Sequence, residues 1–326
     1  MSGGLLVKLR LISLMAAMLA LVGCSRVAQL TAPQKHPHTA RTSTALEADA
    51  LFWQTLHGGQ YDQISPALEA LTVAYLQDPR DAVTAAHVGW LHVWRVSEAA
   101  RSPVKHATIT DDLVLSRKYF EEAVQLDPGE ARYRGFYGSL LMAEGTVHGE
   151  EALVRKGYYT LMGAVNAWPE FNLFTAGYVM SRLPAGSARY RQGLAMQWRT
   201  LDLCAGQPVS RMDPDFGAFM HRETQEGHQR VCWNSWIAPH NFEGFFLNFG
   251  DMLVKAGDWQ SAQRIYADAR LSAAYAQWPY REVLEQRIEH AESNVAKFNA
   301  SDPAGDPVSE RIMFNSSIAC VACHRN

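Results

Sequence analysis

The feature that most narrows what this 326-residue chain can fold into is a spacing that recurs along it. A small residue is followed by a large one four places later, a small one after seven and a proline after twelve. The copies are Ala67, Leu71, Ala74 and Pro79; Ser116, Phe120, Ala123 and Pro128; and Gly157, Leu161, Ala164 and Pro169. Intervals of four and seven return to one face of an α-helix. Small side chains on that face let a second helix approach closely, and the large one fills the gap between the two axes. The proline lacks an N–H and has a fixed φ, so it ends the helix. Alternating β-branched runs are few, so an all-α chain built of helix pairs is expected.

A fourth copy includes its first helix. Phe246, Phe249, Gly250 and Leu253 precede a turn at Gly257-Asp258-Trp259, and Ala262, Tyr266 and Ala269 follow, with the closing proline arriving late at Pro279. On these residues, positions 46–298 resemble a degenerate tetratricopeptide array. The resemblance implies stacked helical hairpins whose surface binds a protein partner. The motifs begin 49, 41 and 105 residues apart, against about 34 in that family, so insertions are expected, the longest over about 170–245. A hydrophobic share of 48% supports a sizeable core, and 30 Lys+Arg against 33 Asp+Glu leave a net charge of −3. Without a clustered basic surface for phosphates, nucleic acid is not an expected partner.

The long insertion is dense in Trp, His and Met: Met196 to Trp198, Met212 to Phe216, Phe219-Met220-His221, His228, Trp233 to Trp236 and Pro239-His240-Asn241. Such a stretch reads either as a functional excursion on a repeat scaffold or as aromatics packing between repeats. It also holds Cys204 and Cys232, which read as a disulfide in an oxidising compartment, the alternative being two buried free thiols.

The two ends of the chain carry separate signals. Lys8 and Arg10 precede an apolar run from Leu11 to Val22, the pattern of a secretory signal peptide over 1–23. Leu21-Val22-Gly23-Cys24 resembles the bacterial lipobox, which implies lipidation of Cys24 and a mature chain of net charge −5. Several acyl chains on one terminus anchor stably where one is marginal. Ser25 resembles the outer-membrane sorting residue of lipoproteins, so a cell-envelope protein facing the periplasm is expected. Residues 24–45, with Pro33 and Pro37, read as a flexible tether.

At the other end, a linker and tail over 299–326 finish with Cys320-Val321-Ala322-Cys323-His324. This CxxCH spacing is the signature of covalent c-type haem attachment. Two thiols about one turn apart reach the two vinyl groups as thioethers, and the adjacent imidazole falls beneath the iron. One haem c per chain is expected, held by Cys320, Cys323 and axial His324. Only Arg325 and Asn326 follow, so the chain after the motif cannot wrap the macrocycle, which must lie on the array, on a partner or exposed. A sixth ligand from the array would be His240, with Met313, His221, His228, Met212 and Met220 as alternatives. The expected function is electron transfer with a protein partner. Haem catalysis or sensing at an open iron position, and a pure assembly scaffold, are the competing readings.

Overall fold

The computed structural model describes residues 27, 30–33, 35–38, 40–98, 109–224, 226–300 and 320–325. Among them are twelve α-helices: α1 (Ser43–His57), α2 (Ile64–Gln77), α3 (Ala82–Ser97), α4 (Ile109–Leu126), α5 (Ala131–His148), α6 (Glu151–Ala167), α7 (Pro169–Met180), α8 (Ala188–Ala205), α9 (Asn241–Lys255), α10 (Trp259–Asp268), α11 (Arg281–Glu289) and α12 (Ala291–Asn299). Sequence neighbours pack as pairs, α1 with α2, α3 with α4, α5 with α6, α7 with α8 and α9 with α10, while α11 and α12 close over the last pair. The all-α architecture of adjacent helix pairs is as the recurring spacing predicts.

The recurring residues occupy the pair interfaces. Leu71, Phe120, Leu161 and Tyr266 are fully buried, as are Ala67, Ser116 and Ala262. In three pairs the large residue of the second helix lies against a glycine of the first. A Cβ on Gly89 would stand 2.9 Å from the Phe120 ring, one on Gly138 2.6 Å from the Leu161 amide nitrogen, and one on Gly250 2.2 Å from the Tyr266 ring. Tyr266 also donates its hydroxyl to Asp251 at 2.5 Å. Pro79, Pro128 and Pro169 each lie just past a helix end at Gln77, Leu126 and Ala167. Helix starts are capped by side chains: Thr42 accepts from Ala45, Asp81 from Val83 and Thr84, and Ser187 from Tyr190, each worth about 1 kcal/mol.

The insertion expected over about 170–245 is shorter in the structure. Its first part forms the fourth pair, α7 and α8, which approach at Gly177 and Gly193; a Cβ on Gly177 would meet the Gly193 carbonyl oxygen at 2.7 Å. This pair escapes the motif because Met196, Thr200 and Leu203 hold the three places before Pro208, and α8 ends on Gly206 with φ of 70°. Irregular backbone is confined to 206–240 and contains short 3₁₀ turns at Gly217–Arg222 and His228–Val231. Cys204 at the end of α8 is bonded to Cys232, with Cα atoms 5.6 Å apart, as expected from the leftover cysteines.

Residues up to His36 form a separate unit, in which Thr31 bonds the Val27 carbonyl oxygen. The helical unit begins at Pro37, inside the stretch 24–45 read as tether. His38 reaches Asp78 at 2.7 Å, and the Arg41 guanidinium donates to Asp81 at 2.9 Å. Among the described residues no helix is long and apolar enough to cross a membrane. The signal peptide and Cys24 lie outside the described residues, as do the linker over 301–319 and Met313.

Candidate functional site

The final residues, Cys320 to Arg325, are seated in the helical unit between its first and last pairs. Cys320–Ala322 form one 3₁₀ turn, and Cys323 donates back to the Cys320 carbonyl oxygen at 3.4 Å. Four elements hold this hexapeptide. From α3, the Glu98 carboxylate just past the helix accepts the Cys320 N–H at 3.1 Å, and the Ser97 hydroxyl lies 3.2 Å from the Cys320 sulfur. From the segment after α10, the indole of Trp278 donates to the Ala322 carbonyl oxygen at 2.8 Å. From the start of α9, the His240 N–H donates to the Cys323 carbonyl oxygen at 3.0 Å. From the end of α1, Gly58 forms an antiparallel bridge with Arg325. Ala322 is fully buried in the same core that contains Phe52, Trp94, Phe246 and Leu284.

Both thiols face inward. A Cβ on Gly244 in α9 would stand 2.2 Å from the Cys323 sulfur, so glycine at that helical position makes the cradle for it. Burial, with Glu98 adding repulsion and Ser97 opposing, pushes the Cys320 thiol up to about 12. Burial, then Cys320 and Glu243, does the same for Cys323. At neutral pH both sulfurs are therefore thiols.

His324 is fixed by one bond, Nδ1 to the Ile237 carbonyl oxygen at 2.9 Å. A carbonyl only accepts, so Nδ1 carries the proton. Burial, reinforced by the nearby His57, pushes the imidazole down to about 4 against the pull of that carbonyl. The ring is neutral and its lone pair is on Nε2, the arrangement in which a histidine binds iron while its other nitrogen is oriented by a backbone oxygen.

A group of rings surrounds Ile237. Trp53 and Trp236 lie 4.7 Å apart between centroids, and His57 is 5.2 Å from Trp53 and 5.5 Å from Trp236. Trp236 is 65% exposed, so this group of rings reaches solvent. Beyond Trp53, His87 stacks on Phe52 at 3.9 Å and reaches Asp49 at 2.6 Å.

The side chains proposed from sequence as sixth ligands are scattered. His240 is adjacent to the tail through its backbone, and its buried ring faces Glu243, 3.2 Å from Nδ1 to Oε1. Glu243 is itself fully buried, with the Ser272 hydroxyl donating to it at 2.8 Å. His228 is exposed and stacks on Trp168 at 5.1 Å. His221 is exposed on a 3₁₀ turn, Met220 beside it packs against the core, and Met212 is 82% exposed. Sequence reading missed His57, the Ile237 carbonyl oxygen, Glu98, Trp278 and Gly244. The one signal available was Trp53 and His57 at helical spacing ahead of Gly58-Gly59.

Fold and site together define an all-helical protein of stacked helix pairs, with a disulfide in its irregular segment and a half-buried dithiol and imidazole in its tail. No protein-family model, curated protein or solved structure matches the chain.

Proposed function

We propose that this chain is an exported, lipid-anchored monohaem c-type cytochrome that transfers electrons to or from a protein partner. The observation that carries the reading is the bond from His324 Nδ1 to the Ile237 carbonyl oxygen, which leaves Nε2 of a neutral imidazole for iron at the one place where two cysteines share a turn with it. The surroundings suit the group in one further respect: the rings of Trp53, His57 and Trp236 offer an apolar surface beside the imidazole. A macrocycle left in water would forgo several kcal/mol at about 25 cal/mol per Å², which favours its lying on the array.

In this reading Cys320 and Cys323 would hold the haem as thioethers and His324 would supply a nitrogen to its iron. Such a group, when bound, would supply reversible one-electron chemistry. The chain's own residues would set its conditions: the Ile237 carbonyl oxygen orients the imidazole, and exposed Trp236 extends the ring surface to where a partner would meet it. The helix pairs, read as a degenerate tetratricopeptide array, provide the surface for that partner. Cys24 carries the lipid, with the outer membrane facing the periplasm as the location.

The test is expression in a Gram-negative host with the haem-attachment machinery. The mature protein should keep its haem on a denaturing gel, Cys320→Ser and Cys323→Ser should together abolish it, and Cys24→Ala should release the protein from the membrane fraction or leave the precursor uncleaved. A mature, membrane-bound protein without covalent haem would refute the haem assignment, and unchanged processing and retention of Cys24→Ala would refute the anchor. High-spin five-coordinate iron would favour catalysis or sensing over electron transfer.

A further inference from the structure

We infer that the seat of the cysteine turn is closed to a haem-bearing turn, so that haem is attached while the turn is out of its seat, and that seating a haem-free turn shields its two thiols. The shielding stands on the fold alone, and the order of events rests on the haem reading above. Thioether formation adds each S–H across a vinyl double bond, sulfur to one carbon and hydrogen to the other, with no outside oxidant. Both sulfurs must therefore be presented to the edge of one flat ring.

In the seated turn they are presented to two different helices. Cys320 Sγ lies 3.2 Å from the Ser97 hydroxyl at the end of α3. Cys323 Sγ packs on α9, where even a methyl added to Gly244 would stand 2.2 Å from it. Between the two cysteines Ala322 is fully buried, in one core with Trp94, Phe246 and Trp278. Cores pack without gaps of that size, so a macrocycle joined to both sulfurs has no place there until the turn backs out. The turn's backbone is held as closely: the Cys320 N–H by Glu98, the Ala322 carbonyl oxygen by Trp278 and the Cys323 carbonyl oxygen by the His240 N–H. The bond of His324 to Ile237 and the bridge of Arg325 with Gly58 lie beyond the turn. Neither has to break for the cysteines to leave.

The experiment uses the full chain made in two ways, without haem attachment and matured with covalent haem. Haem-free wild type, Trp278→Phe and Gly244→Ala are treated with a maleimide, natively and in urea, and labelling is read by mass on the tryptic peptide 312–325. Trp278→Phe removes the N–H that Ala322 accepts but keeps a ring, and so tests release even where Gly244→Ala fails to fold. Native wild type should label about a hundredfold more slowly than in urea. Trp278→Phe should label about fivefold faster than wild type, and Gly244→Ala about tenfold or more. In wild type with covalent haem, hydrogen exchange at the Cys320 and His240 amides should be at least about tenfold faster than in the haem-free chain, with the Leu253 amide inside α9 unchanged. Native labelling within about twofold of the urea rate overturns the shielding. A haem-bearing protein that keeps both amides protected overturns the exclusion. Absence of covalent haem from wild type refutes the haem reading itself, which staining shows separately, and the labelling then decides the shielding alone.

Discussion

Replacing Gly244 by alanine sets two effects of opposite sign against each other. Gly244 is an interior position of α9, where exchanging glycine for alanine stabilises a helix by about 1 kcal/mol. The new methyl would stand 2.2 Å from the Cys323 sulfur and 3.3 Å from the Ala322 carbonyl oxygen, so the tail must move. The bonds at risk are those from Cys320 to Glu98, Trp278 to Ala322, His240 to Cys323 and His324 to Ile237. At a net value of about 1 kcal/mol each, full undocking forfeits roughly 4 kcal/mol and outweighs the helical gain. Gly244→Ala should therefore lose about 2–3 kcal/mol. Gly163→Ala, an exposed site in α6 with nothing within 4 Å of the added Cβ, should gain up to about 1 kcal/mol. The assay is chemical denaturation with hydrogen exchange at the His240 and Cys320 amides, on protein made without haem attachment. A Gly244→Ala protein that matches Gly163→Ala in stability and keeps both amides protected would refute the idea that α9 holds the tail by that contact.

Two further outcomes follow from other parts of the fold. Removing the bond between Cys204 and Cys232, which are 28 residues apart, with paired serines should cost roughly 3–4 kcal/mol in the loop-entropy picture; a denaturation midpoint unchanged from wild type would contradict it. The Asp268 carboxyl accepts from the Phe216 N–H at 3.2 Å, and burial, with Asp215 adding repulsion against that bond, pushes it up to about 8. A carboxyl raised in the folded state contributes stability that is complete below its ordinary range and lost as pH rises through 8, at up to about 1.4 kcal/mol per pH unit. Asp268→Asn keeps the acceptor oxygen, so its stability between pH 5 and pH 8 should fall less steeply than wild type; parallel pH profiles of the two proteins would exclude the effect.

The sequence by itself determined the helix pairs and their contact residues. Whether a position is small enough for close approach is a local property of the side chain, and its repetition at helical spacing needs no knowledge of what lies opposite. That is why Leu71, Phe120, Leu161 and Tyr266 could be marked as interface residues and are all buried. Where bulky residues take the places of small ones, as at Met196 and Leu203 in α8 ahead of Pro208, the pair is invisible until it is folded. The covalent motif in the tail was also legible, because two cysteines and a histidine within five residues are a matter of chain order alone. Only the tertiary structure decided where that motif rests and what faces it. Ser97, Gly244, Trp278 and His57 are 46 to 267 residues away from it along the chain, and a backbone carbonyl such as that of Ile237 is common to every residue type. Its aim at two imidazoles comes from the path of the irregular segment between the disulfide and α9, which no side-chain pattern encodes.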